Sequence, residues 1–124
     1  MIVRRLNEIS ESDKCIKSST FESRRFLLRS DKMGFTLTDT LIYPNTSTEI
    51  CYINHLEACY CIEGTGSILL TTGETIELSP GTMYALDQHE RHTILAKTAL
   101  RLICVFNPPL NGAEIHNKQG AYDL

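Results

Sequence analysis

Between Pro80 and His92 the chain reads Pro-Gly-Thr-Met-Tyr-Ala-Leu-Asp-Gln-His-Glu-Arg-His, which sets Asp87, His89, Glu90 and His92 within six positions. Imidazole and carboxylate side chains this close together are the usual donors for a divalent metal ion. Tyr84 precedes them on a short apolar run. A second segment, Asn54-His55-Leu56-Glu57, adds another imidazole and carboxylate. The expectation is that the two segments face each other across a small β-barrel and share one metal ion.

Such residues need strands to hold them. From Phe21 to Leu28 the pattern has period two, with Phe21, Ser23, Arg25 and Leu27 on one face. A lone guanidinium on a strand is ordinarily a solvated charge, and the pattern alone reads Arg25 that way. From Phe35 to Tyr43, Thr36, Thr38 and Thr40 form a hydroxyl row, which suits an exposed sheet face and a small polar ligand equally. Pro44 to Thr48 reads as a loop and Glu49 to Tyr52 as a strand. His55 to Ile62 is strand-like and puts His55, Glu57, Cys59 and Cys61 on one face. A carboxylate beside two cysteines points inward, where its charge is costly unless paired or bound to a metal. Ser67 to Thr71, Glu74 to Leu78, Thr93 to Ala96 and Leu100 to Phe106 are further short strands, and Asn107-Pro108-Pro109 ends the sheet. Ile2 to Leu6 reads as an edge strand, Asn7 to Lys17 as polar with room for one helical turn. The tail after Leu110 is short and carries Glu114, His116 and Tyr122. Short strands with frequent turns indicate an all-β sandwich or barrel with little helix.

At 124 residues the chain is expected to be one domain, 1–124, large enough to bury about two-thirds of its unfolded surface. A net charge of −3 with scattered basic residues argues against a nucleic-acid surface, and no apolar run approaches a membrane span. The N-terminal residues lack the order of a signal peptide. The five cysteines are odd in number and form no Cys-x-x-Cys. They read as reduced, buried thiols of a cytoplasmic protein, with a zinc or redox role as the less favoured reading.

Glu57 followed by Gly64 resembles the second half of the first cupin motif, and Pro80-Gly81-x-x-Tyr84 resembles the second, with tyrosine in place of its usual histidine. Cys51 and Ile53 stand near where that superfamily has paired histidines. A fuller match is to the ectoine synthase family of cupins. It rests on Asn54-His55-Leu56-Glu57-Ala58, Tyr84-Ala85-Leu86-Asp87-x-His89-x-x-His92, Cys104-Val105-Phe106-Asn107-Pro108-Pro109 and Gly112-x-Glu114-x-His116, and spans the chain. The resemblance implies an antiparallel, jelly-roll-like cupin β-barrel. It implies a hydro-lyase that closes N-γ-acetyl-L-2,4-diaminobutyrate to the compatible solute ectoine with loss of water. It further implies ferrous iron, with zinc as the other candidate, on Glu57, Tyr84 and His92. Phe21, Arg25, Thr38, Thr40, Cys104, Phe106 and His116 carry over as substrate contacts, and His55, Glu114 and Tyr52 as catalytic groups, with base and acid unassigned. Phe21 stands where the family generally has tryptophan, and Thr38 where it has a longer polar side chain. A homodimer paired through Ile2 to Leu6 is also expected. Two other classes compete: a non-catalytic small-molecule-binding cupin or degenerate paralogue, and an iron-dependent cupin dioxygenase, against which the absent histidines at Cys51 and Ile53 count.

Overall fold

The computed structural model describes all residues from Met1 to Leu124. A single helical turn, α1 (Leu6–Ser10), precedes ten strands: β1 (Cys15–Lys17), β2 (Phe21–Leu27), β3 (Thr36–Ile42), β4 (Thr46–Ile50), β5 (Leu56–Glu63), β6 (Gly66–Leu70), β7 (Thr75–Leu78), β8 (Met83–Leu86), β9 (His92–Ala96) and β10 (Leu100–Asn107). They form a six-stranded sheet in the order β1-β2-β3-β10-β5-β8 and a four-stranded sheet in the order β4-β9-β6-β7. All paired strands are antiparallel. This is the expected all-β, jelly-roll-like architecture, with the core between the sheets.

The period-two alternation of the strands decides what enters that core. Along β5, Glu57, Cys59 and Cys61 point inward and are buried, whereas Leu56 and Tyr60 point out. Strand register then aligns inward residues into rows across the large sheet. One row runs Tyr84, Cys59, Cys104, Thr38, Arg25. The next runs Leu86, Glu57, Phe106, Thr36. On the outer face of β2, β3 and β10, Arg24 and Arg101 each meet the Asp39 carboxylate at 2.7 Å. These bonds cross all three strands and so help to fix the register of the rows beneath them. Gly64 closes the β5–β6 corner at φ +89°, where a Cβ would stand 1.9 Å from the Ala99 carbonyl oxygen. No other residue fits that approach.

Three expectations are corrected. Ile2 to Leu6 is not an edge strand: the first five residues are irregular, and α1 begins at Leu6. The Arg4 guanidinium fixes this segment by donating to both oxygens of Asp31 at 2.8 Å and to the Phe26 carbonyl, which takes the place of strand pairing. The loop at Pro44 is shorter than expected, because Asn45 adopts φ 58° and turns the chain at once into β4 at Thr46. Asparagine tolerates this left-handed conformation better than most residues. Arg25 is no solvated charge: it is 0% exposed.

The tail has no regular structure yet folds back over the barrel. Leu110 donates its N–H to Thr36 Oγ1 at 2.7 Å, Gly120 accepts from Cys51 N–H at 3.1 Å, and Asn54 Nδ2 donates to the Tyr122 carbonyl at 3.0 Å. Leu110, Ala121 and Tyr122 are thereby buried.

Candidate active site

Two adjoining cavities lie between the sheets and the tail. The inner one is narrow, about 20 Å³, and is lined by Phe21, Thr40, Tyr52, Glu57, Tyr84, Cys104, Phe106 and His116 among the expected residues. Ser23, Cys59 and Tyr122 also line it. The outer one, about 250 Å³, shares Phe21, His116 and Tyr122 and adds Arg25 and Glu114. Thr38 lines neither; it backs the wall through a 2.9 Å hydroxyl contact with Thr40. Of the Asp87–His92 run only His92 is buried, whereas Asp87 and His89 are exposed. His89 sits at φ 54° and donates Nδ1–H to the Tyr52 carbonyl at 2.7 Å. Dense spacing in sequence therefore delivers one imidazole to the interior, not two.

Glu57 from β5 and Tyr84 from β8 enter from the large sheet, and His92 from the small one. The Tyr84 and His92 rings are 6.3 Å apart, centroid to centroid. Tyr84 Oη and His92 Nε2 are buried with no hydrogen-bond partner. Buried polar atoms are nearly always satisfied, so two orphans here call for a group to meet them. The His92 tautomer supports this. Its Nδ1 lies 2.9 Å from the Glu90 carbonyl, which can only accept, so Nδ1 carries the proton and Nε2 presents its lone pair. Burial holds the His92 imidazole below its ordinary pKa, and hence neutral. Glu57 and Tyr84 line the inner cavity and His92 does not, yet carboxylate, phenol and free imidazole nitrogen are each donor types that suit a divalent ion.

Burial also raises the Glu57 carboxyl to about 7, although the Cys59 and Cys104 thiols oppose the rise. A carboxyl whose folded pKa exceeds its ordinary 4.5 favours the fold fully below pH 4.5, and that contribution is lost as pH rises through 7. The interval corresponds to about 3 kcal/mol. In metal-free protein, urea unfolding should show Glu57→Gln gaining about that much on the wild type between pH 4.5 and pH 8. A difference that stays constant with pH would contradict the buried charge. Comparing the two proteins cancels His116, whose pKa burial lowers to about 4 and whose contribution runs the other way.

Around the inner cavity stands an aromatic wall. Tyr52 stacks on Tyr122 at 4.9 Å, meets Phe106 edge-on at 5.3 Å, and shares a 2.7 Å hydrogen bond with His116 Nε2. Phe21 lies 5.0 Å from His116. Burial holds the Tyr52 phenol well above its ordinary pKa, so it remains an O–H donor. His55 is 1% exposed, lies edge-on to Phe106 and Tyr122, and has a partnerless Nδ1. Burial keeps its pKa low and the ring neutral.

Arg25 is held by the tail. Its Nε–H donates to Ser23 Oγ at 3.2 Å, Nη1 to the Gly112 carbonyl at 3.1 Å and Nη2 to the Glu114 carbonyl at 2.8 Å, and it lies over the Tyr122 ring at 5.2 Å. The Glu114 carboxylate is 3.7 Å from Nη1 and accepts from Asn111 and Gly112 N–H. Burial pushes the Glu114 pKa up, but those donors and Arg25 outweigh it and hold the group ionised.

Ser23, Cys59 and Tyr122 line the inner cavity without being expected there; the first two share strand faces with Arg25 and Glu57, whereas Tyr122 lies in the tail. Its only local signal was an aromatic ring near the C-terminal end; the fold-back that buries it is tertiary.

The two facing sheets with a donor set between them define a cupin. A sequence profile of the ectoine synthase family matches residues 1–124, and the chain belongs to that family. It is 54% identical to the L-ectoine synthase of Desulfatibacillum aliphaticivorans, over 100% of this chain and 98% of that one. It is 48% identical to the L-ectoine synthase of Bordetella parapertussis, over 100% and 96%. The crystal structure of ectoine synthase from P. lautus superposes with a TM-score of 0.91 at 52% identity, covering 100% of this chain and 91% of that one. The polyketide cyclase RemF from Streptomyces resistomycificus, at 19% identity and a TM-score of 0.71 over 96% and 89%, shares the fold alone.

Proposed function

We propose that this protein is an ectoine synthase, a hydro-lyase that cyclises N-γ-acetyl-L-2,4-diaminobutyrate to ectoine, acting as one domain in the cytoplasm to supply a solute against osmotic stress. The observation that carries the reading is the whole-chain family match on a barrel whose interior holds Glu57, Tyr84 and His92 with two orphaned donor atoms. The five free thiols suit a reducing compartment, and no helix is long and apolar enough to cross a membrane.

In the reaction the α-nitrogen attacks the acetamide carbonyl carbon to form a six-membered ring, and the carbonyl oxygen leaves as water. Glu57, Tyr84 and His92 would hold ferrous iron. Bound there, the ion supplies Lewis acidity that makes a poor electrophile attackable. The chain's own residues do the rest. The aromatic wall of Phe21, Tyr52, Phe106 and Tyr122 folds the substrate so that amine and carbonyl meet, converting binding into effective molarity. Neutral His55, with its free Nδ1, takes the proton from the α-ammonium group. Two protons then reach the departing oxygen: Tyr52 O–H, hydrogen-bonded to His116, gives one and is reprotonated from the attacking nitrogen, and protonated His55 returns the other, so that the oxygen leaves as water. The ionised Glu114 is unsuited to deliver a proton and instead anchors Arg25. Five guanidinium N–H groups less the three engaged leave two, one each on Nη1 and Nη2, for the substrate α-carboxylate. Thr40 and Cys104 flank the ring atoms, with Thr38 behind.

The reading is tested by incubating the iron-loaded protein with the acetylated diamine under an oxygen electrode. Ectoine should accumulate with no oxygen uptake. Oxygen uptake without ectoine would move the protein to the dioxygenase class, and substrate binding without turnover to the binding cupins.

The enzyme acts as a homodimer in this reading. With Ile2 to Leu6 irregular, the contact falls on the outer face of the large sheet. There Leu56, Tyr60, Met83 and Val105 expose apolar surface beside the open edge of β8. Sedimentation at micromolar concentration should give a dimer that Tyr60→Lys with Met83→Lys dissociates; a monomeric wild type would contradict it.

A further inference from the structure

The interior offers a second donor set, which shares Glu57 with the first and Cys104 with the substrate pocket. Cys59 and Cys104 are register partners on β5 and β10, 2% and 3% exposed, with their sulfur atoms 3.4 Å apart. A Glu57 carboxylate oxygen and these two sulfurs lie within 4.8 Å of one another. His92 is not part of that trio, so the chain presents two sets that meet at Glu57. One is nitrogen and oxygen (Glu57, Tyr84, His92); the other is oxygen and sulfur (Glu57, Cys59, Cys104). Both thiols are free and line the same cavity.

We propose that Glu57, Cys59 and Cys104 form a thiolate site for a thiophilic divalent cation of the zinc class, overlapping the iron set and excluding iron when filled. Two sulfur ligands and one carboxylate leave the fourth tetrahedral position open to water or Tyr84 Oη, a coordination common for zinc, which such a site binds more tightly than ferrous iron. Strand pairing holds both sulfurs in place, so the ligands need little reorganisation before binding. Each thiol releases its proton to solvent as the ion binds. With zinc bound, Cys104 is engaged by the ion and no longer flanks the substrate, and because Glu57 cannot serve both sets, zinc occupancy should silence the iron centre. The inference rests on the assignment of Glu57, Tyr84 and His92 to iron only for this competition; the sulfur set stands on its own geometry.

Cobalt(II) is the probe, because cobalt bound to thiolate absorbs in the near ultraviolet by charge transfer and cobalt bound to oxygen and nitrogen does not. Chelator-stripped full-length protein titrated with cobalt should develop the band. Cys59→Val, which keeps a small apolar side chain in the core, should lose about half of it and weaken zinc binding by at least about 100-fold, more than the roughly 10- to 100-fold typical of an outer-shell change. Cys104→Val should behave alike, and His92→Ala should keep the band. Circular dichroism and thermal unfolding confirm that each variant is folded; should Cys59→Val fail this check, Cys59→Ala replaces it. Cobalt bound without the band, no cobalt bound at all, or a band indifferent to both cysteine substitutions would overturn the proposal. Iron content of His92→Ala separates the two assignments. If that variant loses iron while wild-type cobalt shows no band, the iron set stands and the sulfur site falls. If it keeps iron while the cysteine-dependent band appears, the reverse holds.

Discussion

Alanine at Glu57, Tyr84 or His92 should strip most of the iron and lower ectoine formation by at least about 100-fold, since Lewis-acid stabilisation supplies several kcal/mol. The barrel should remain folded. Its core is formed by Ile42, Ile68, Leu78, Ile94, Leu100 and Leu102, which do not depend on an ion. His92→Ala is the cleanest of the three: it removes a lone pair from Nε2 without uncovering a buried charge. Tyr84→Phe is the informative companion, because it deletes only the orphaned Oη and keeps the ring that fills the cavity wall. Full iron occupancy in all three alanine variants, read by elemental analysis, would remove them as ligands.

Arg25→Lys should lower kcat/KM by about 10- to 150-fold, the equivalent of one lost charge-assisted bond at roughly 1.5–3 kcal/mol. Lysine keeps the charge but gathers its three donors at one point. It cannot reach Ser23 on its own strand, the Gly112 and Glu114 carbonyls on the tail and a substrate carboxylate together. Two effects are therefore superimposed, and they separate in measurement. Loss of substrate contact raises KM. Loss of the tail's anchor frees residues 110–122 and should increase their susceptibility to protease in the absence of substrate. Unchanged kinetics with an unchanged cleavage pattern would remove Arg25 from both roles.

The parts of this protein that were legible in its sequence are those governed by local periodicity. Alternation along Phe21–Leu28 and His55–Ile62 gives the strands and the inward placement of Glu57 directly, because a strand has only two faces. What was not legible was tertiary. The apolar character of Ile2 to Leu6 suggests a strand, but no neighbouring edge receives it and Arg4 ties it elsewhere. The spacing of His89 and His92 suggests joint ligation, but a left-handed backbone at His89 turns its ring to the Tyr52 carbonyl. Arg25 carries no mark that separates a buried guanidinium from a solvated one; its burial depends on a tail that starts 85 residues later at Leu110. Tyr122 was hidden for the same reason. Glu57, Tyr84 and His92 are proposed as ligands on resemblance to a family, a proposal to which the unpartnered Tyr84 Oη and His92 Nε2 lend support.

The central claim is metal-dependent cyclisation, and one measurement meets it directly. Protein stripped of metal under anaerobic conditions is mixed with N-γ-acetyl-L-2,4-diaminobutyrate, ectoine is followed by nuclear magnetic resonance, and ferrous iron is then added in stoichiometric amount. The account predicts no ectoine before the addition and many turnovers after it, with one iron retained per chain. Iron-loaded wild type that binds the substrate and releases no ectoine would contradict it.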